Sequence, residues 1–175
     1  KRHLVPFGEY VPFRDWLPVK KFVPGLVDFS PGESGAPIGP YRAGLLICFD
    51  GVFPELARET VDQGARFLVN ITNDGWYDVS SGPYQHLDFY VLRAIETGRQ
   101  VVRVANNGVS TTILPNGTFR GRLALNERGH STETVGIWNH ETPWIRFGNW
   151  PLGLALLALG WEACMGWRDW RKLRS

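Results

Sequence analysis

Short apolar runs alternate with amphipathic stretches through the middle of the chain, and a polar turn marks each junction. Ala43-Gly44-Leu45-Leu46-Ile47-Cys48 is a run of the buried-strand type. Phe49-Asp50-Gly51 breaks it. Residues 54–64 predict a helix. Pro54 suits the first turn, Leu56, Ala57 and Val61 share a face, and Gly64 stops it. Phe67-Leu68-Val69-Asn70-Ile71 reads as a second buried strand, closed by the polar turn Thr72-Asn73-Asp74-Gly75-Trp76. Residues 84–97 predict a second helix, with Leu87, Val91, Ala94 and Ile95 on one stripe and Gly98 as its stop. Residues 101–105 form a third strand, ended by Asn106-Asn107-Gly108. Residues 110–114 and 118–122 flank Pro115-Asn116-Gly117, a hairpin signal. Residues 135–138 read as a last short strand. The alternation implies an α/β sheet whose polar turns gather at the strand ends, where such folds build their sites.

The two flanks read differently. Residues 1–40 carry Pro6, Pro12, Pro18, Pro24, Pro31, Pro37 and Pro40, so at most short strands are expected there. A long loop of this kind is more often a lid or binding loop than filler. At the other end, Asn149 suits the cap of a helix that starts at Pro151. Residues 150–161 are uncharged, Glu162 interrupts, and 163–167 resume. As a helix, 150–167 would rise ~27 Å against roughly 30 Å of hydrocarbon. Trp150, Trp161, Trp167 and Trp170 resemble interfacial anchors. The expectation is therefore a transmembrane helix over 150–167 after a linker at 143–149. A basic tail at 168–175 would then lie in the cytoplasm and the α/β domain on the other face. Glu162 argues instead for a helix of a soluble protein.

Charge sharpens the picture. The net charge is +2. Without the last eight residues the body holds 15 basic against 16 acidic side chains. The excess thus belongs to the tail, and no basic surface for nucleic acid is expected. A first residue of lysine suggests a piece of a longer protein. The 2 cysteines make neither a disulfide framework nor a zinc motif.

Cys48 is the leading candidate for chemistry. It ends a buried strand just before a helix, where the turn presents a side chain at the sheet edge and the next N–H can face a reacting carbonyl. The competing reading is a small core residue, the common fate of a free cysteine. Lys1 can stabilise an oxyanion with Glu9 holding it, against the default of a solvated lysine. His86 sits mid-helix without an evident orienting partner, which favours a structural histidine. Asn70-Ile71-Thr72 and Asn116-Gly117-Thr118 match a glycosylation pattern that is frequent by chance. Cys164 reads as helix filling.

Several stretches taken in order carry a resemblance. They are Lys1-Arg2-His3-Leu4-Val5-Pro6-Phe7-Gly8-Glu9-Tyr10-Val11-Pro12, Ile47-Cys48-Phe49-Asp50, Asn73-Asp74-Gly75-Trp76, Gly82-Pro83-Tyr84-Gln85-His86, and Arg93-Ala94 through Asn106-Asn107-Gly108. The set resembles the nitrilase (carbon–nitrogen hydrolase) superfamily, and within it the apolipoprotein N-acyltransferase family of bacterial lipoprotein maturation. The resemblance implies that residues 1–142 are the C-terminal part of a four-layer αββα domain with a Glu–Lys–Cys triad. Cys48 is then the nucleophile and Lys1 the triad lysine, with Glu9, Asp50 and Phe49 in support. The triad glutamate would lie outside this chain, which by itself would be inactive. The implied reaction moves an acyl chain from a phospholipid, through a cysteine thioester, to the amine of a diacylglyceryl apolipoprotein at the bacterial inner membrane. The catalytic domain would face outward, and neither metal nor organic cofactor is implied. Asp50 stands where that family usually has Glu, Phe49 where Tyr is common, and Tyr77-Asp78 where Phe-Gly is usual. A soluble amidase of the same superfamily and a membrane-tethered binding module are the alternatives.

Overall fold

The computed structural model describes residues 1–12 and 29–172, with side chains placed to residue 167. The middle of the proline-rich segment, with Pro18 and Pro24, lies outside the described residues, as does the end of the tail. Five strands form one sheet in the order β1 to β5. They are β1 (Ala43–Ile47), β2 (Phe67–Asn73), β3 (Val101–Asn106), β4 (Ser110–Ile113) and β5 (Phe119–Leu123). The pairs β1·β2 and β2·β3 are parallel, and β3·β4 and β4·β5 are antiparallel. Helix α1 (Pro54–Asp62) and helix α2 (Gly82–Thr97) are the crossovers a parallel sheet requires.

Register decides what each face carries. Gly44 pairs with Leu68 and Leu68 with Val101, and one step further on the same face Leu46 pairs with Asn70 and Asn70 with Arg103. This face is buried under the helices. Leu46, Leu68 and Val101 join Leu56, Ala57 and Val61 of α1, Leu87, Tyr90 and Ala94 of α2, and Ile145 in one core. Burying each of the large aliphatic side chains is worth about 1.5–3 kcal/mol. The alternate residues point the other way, and Ile71 and Val104 are each more than half exposed. A parallel sheet is normally covered on both faces. The open apolar face is what one half of a two-sheet sandwich would present.

The stripe that α2 buries differs from the expected one. Leu87 and Ala94 are buried, but Ile95 is about half exposed. His86, Tyr90, Arg93 and Thr97 are buried in its place. Each polar group there finds a partner: Arg93 donates to the Val52 carbonyl and pairs with Glu96, Thr97 donates to the Arg93 carbonyl, and His86 and Tyr90 join the network described below. Residues 135–138 make no strand among the described residues. Their backbone is tied to the sheet layer through Trp138 N–H and Arg66 O at 3.4 Å and through Gly136 N–H and the Gln100 side chain at 2.8 Å.

The segment expected as a linker holds a short helix, α3 (Pro143–Phe147), capped by the Thr142 hydroxyl and docked through Ile145. Helix α4 (Trp150–Lys172) follows. It does not stop at Trp167, so the first five residues of the expected tail are helical. No helix among the described residues is long and apolar enough to cross a membrane. The expected span over 150–167 fails on composition. Pro151, Glu162, three glycines and the tryptophans dilute the leucines. Helix α4 is nonetheless exposed along its whole described side-chain surface.

Candidate active site

The chain leaves β1 through a 3-10 turn, Cys48–Val52, and its first residue is strained. Cys48 has φ of +51°, a conformation a non-glycine residue adopts at a cost of order 1–3 kcal/mol. Such a residue needs surroundings that hold it. Its carbonyl accepts the Tyr90 hydroxyl at 2.5 Å and meets His86 Nε2 at 3.2 Å. Both partners come from the buried face of α2, four residues and one turn apart. The Cys48 side chain itself is half-buried. Gly51 allows the turn to lie against α2, because a Cβ there would run into the Tyr90 ring.

A second set of contacts brings the first residues of the chain to this turn. The Asp50 carboxylate is 2 % exposed and accepts the backbone N–H groups of Arg2, His3 and Ile47 at 2.8–3.2 Å. The His3 ring packs on Phe53 at 4.0 Å, and Phe49 meets Phe53 edge-on at 5.2 Å. The Arg2 guanidinium pairs with Glu59 at 2.7 Å and with the Leu56 carbonyl at 2.9 Å. Lys1 is thus the residue just before a segment bonded to the Cys48 turn. Its ammonium pairs with both Glu9 oxygens at 2.5 and 2.6 Å, and Glu9 also accepts the Val5 N–H. Only about a tenth of the Lys1 side chain and a quarter of the Glu9 side chain are exposed.

Beneath the turn lies a buried polar network. Asp74 accepts from Arg103 Nη2 at 2.5 Å, from His86 Nδ1 at 2.9 Å and from the Thr72 hydroxyl at 3.2 Å. Arg103 also donates to Asn70 Oδ1 at 2.5 Å and to the Val109 carbonyl at 3.2 Å. Asn70 donates to the Leu46 carbonyl and to the Tyr90 hydroxyl. Burial pushes the Asp74 carboxyl up. The His86 hydrogen bond, the charges of Arg103 and His86 and the Thr72 hydroxyl outweigh it, so the group stays below the ordinary carboxylate range. Burial raises the Tyr90 hydroxyl strongly, so it remains a protonated donor. Burial also raises Tyr77, with the Asp74 carboxylate adding to it and Arg103 opposing.

Two of the three strand-end turns expected to hold the site meet directly, and the Cys48 turn reaches them through His86, which contacts both the Cys48 carbonyl and Asp74. Asn106 bonds to Asn73, and a Cβ at Gly108 would strike the Asp74 carboxylate. Lys1 and Glu9 come together, Asp50 joins the Lys1 segment to the Cys48 turn, and Phe49 lines that turn. His86 is a correction. Its orienting partner is Asp74, twelve residues upstream. Tyr90, Asn70 and Arg103 were not expected at all. The available signal was Asn70 and Arg103 inside apolar strands, since a buried polar group must be paired. Asn70 is fully buried and bonded, so it is no glycosylation acceptor.

The carbon-nitrogen hydrolase family model matches residues 1–137. The chain is 46% identical over 152 residues to the apolipoprotein N-acyltransferase of Geobacter metallireducens, covering 85% of this chain and 29% of that protein. It is 41% identical over 162 residues to the enzyme of the same name from Rickettsia prowazekii, covering 90% and 32%. The chain therefore spans about a third of the length of the curated relatives it matches. An amidase from Nesterenkonia sp. superposes on 58% of this chain and 42% of its own, at 27% identity and a TM-score of 0.48.

Proposed function

The chain belongs to the carbon-nitrogen hydrolase family, and on that premise we propose that Cys48 is the nucleophile of an N-acyltransferase acting on bacterial lipoproteins. The observation that carries the reading is the strained Cys48 backbone, held by two buried donors while the residue itself is only half-buried. The relatives' name supplies an apolipoprotein acceptor, and the proposed reaction takes the acyl chain from a phospholipid and delivers it to a diacylglyceryl-cysteine amine.

In the proposed reaction a glutamate from outside this chain takes the Cys48 thiol proton. The thiolate forms an S–C bond to the ester carbonyl of the phospholipid. The Lys1 ammonium and the Phe49 N–H steady the tetrahedral oxygen. The C–O bond breaks, and the lysophospholipid leaves as an alcohol carrying the proton. The acceptor amine then attacks the thioester, the C–N bond forms, and the S–C bond breaks. The amine proton returns through the glutamate, and the thiol is restored. Glu9 orients the lysine. Asp50 does not act as an acid or base in this scheme, because its oxygens are committed to backbone N–H groups.

The proposed membrane location rests on α4. Its leucines and tryptophans are exposed and would lie against lipid. The test is a chase of radiolabelled phospholipid onto the full-length protein, with the label read as a hydroxylamine-sensitive adduct on Cys48. Label transfer that persists in Cys48→Ala sinks the mechanism.

A further inference from the structure

The buried network beneath Cys48 has a direction that donor and acceptor chemistry fixes at every atom. Arg103 has only donors, so Asn70 must turn its oxygen to it. The Asn70 amide nitrogen then faces the Leu46 carbonyl and the Tyr90 hydroxyl. The Tyr90 oxygen therefore receives Asn70 at 2.7 Å and the Gly51 N–H at 3.2 Å. Its one proton is left for the Cys48 carbonyl. That is the first arm.

The second arm also starts at Arg103. Its Nη2 pairs with Asp74, which is ionised and can only accept. His86 Nδ1, 2.9 Å from Asp74, must then donate. His86 Nε2 faces a carbonyl oxygen and must donate as well. Arg103 Nη2 also stands 3.5 Å from Nδ1, a length at which a hydrogen bond is weak, so the shorter carboxylate contact decides. Tyr77 from the turn after β2 and Tyr90 from α2 also face the ring.

We propose that Tyr90 and His86, each set in its donor state by Arg103, are positioning residues that hold the Cys48 carbonyl and with it the left-handed backbone from which the thiol is presented. Neither touches substrate. Both act through Cys48, and the proposal rests on Cys48 being the nucleophile. Two donors on one carbonyl also polarise the Cys48–Phe49 peptide, whose N–H is the proposed oxyanion donor.

The experiment compares the full-length protein with Tyr90→Phe and His86→Gln. The readouts are acyl-transfer kinetics and the rate of iodoacetamide alkylation of Cys48 against pH, followed by peptide mass spectrometry. Each variant should lose about tenfold in kcat with KM unchanged, as for one lost positioning hydrogen bond. Alkylation of Cys48 should also slow in both variants, because the backbone no longer presents the thiol. Folded variants that melt earlier but keep the parent kcat and alkylation profile overturn the proposal. If His86→Gln does not fold, an unchanged kcat in Tyr90→Phe does so alone. A parent that forms no thioester on Cys48 instead sinks the reading of the nucleophile, so the two failures are separable.

Discussion

The Asp50 carboxylate accepts the backbone N–H of His3 at 2.8 Å across 47 residues of sequence. With the matching bonds from Arg2 and Ile47 it fastens the Lys1 segment to the turn that begins at Cys48. An aspartate performs this task because its short side chain folds back onto its own turn. Asp50→Asn replaces one acceptor oxygen with a donor that faces N–H groups. It should destabilise the fold by about 1–3 kcal/mol, read by chemical denaturation. It should also slow thioester formation more than Asp50→Glu does, because the charge is retained in the latter.

Lys1→Ala should lower kcat on the order of 10²–10³-fold, as for a removed oxyanion donor, while phospholipid KM stays near the parent value. Glu9→Gln keeps the shape and removes the charge that anchors the ammonium at 2.5 Å. It should give a smaller loss than Lys1→Ala in the same steady-state assay.

Cys48→Ser should form no detectable acyl adduct at neutral pH, because an alkoxide is far harder to generate than a thiolate. The check is intact-protein mass after incubation with phospholipid vesicles.

Asp74 links stability to pH. Its folded-state pKa lies below the ordinary value of 3.8, so the carboxylate form is bound more tightly in the folded chain. The stabilisation is full above about pH 4–5 and is lost as pH falls through the lowered folded-state pKa. Unfolding free energy measured from pH 5 to pH 2 should therefore fall. Asp74→Asn should be about 3–5 kcal/mol less stable at pH 7, because it leaves Arg103 and His86 buried without their anion. Much of the acid-side slope should vanish with it.

Gly51→Ala tests how closely the turn lies on α2. A methyl group at Gly51 would overlap the Tyr90 ring and displace the hydroxyl from the Cys48 carbonyl. The expected outcome is a loss of about 1–3 kcal/mol in stability together with a fall in kcat. Circular dichroism melts and the acyl-transfer assay report the two effects.

The alternation of apolar runs and amphipathic stretches by itself determined the sheet and its crossovers. Period two and period 3.6 are local properties, and Gly64, Gly98 and Pro115-Asn116-Gly117 punctuate them. It also made the strand-end turns recognisable, because a polar cluster after a buried strand has nowhere else to go. What α2 buries was decided by the tertiary structure. Apolarity alone points to Val91 and Ile95, yet His86 and Tyr90 are buried. Their burial is favourable only once Asn70 and Arg103 align on neighbouring strands and Asp74 closes over them. Those partners are 12 to 33 residues apart, and pairing at that distance is set by strand register. The membrane question divides in the same way. A helix at the C-terminus follows from local composition, whereas what its exposed leucines lie against is a property of its surroundings.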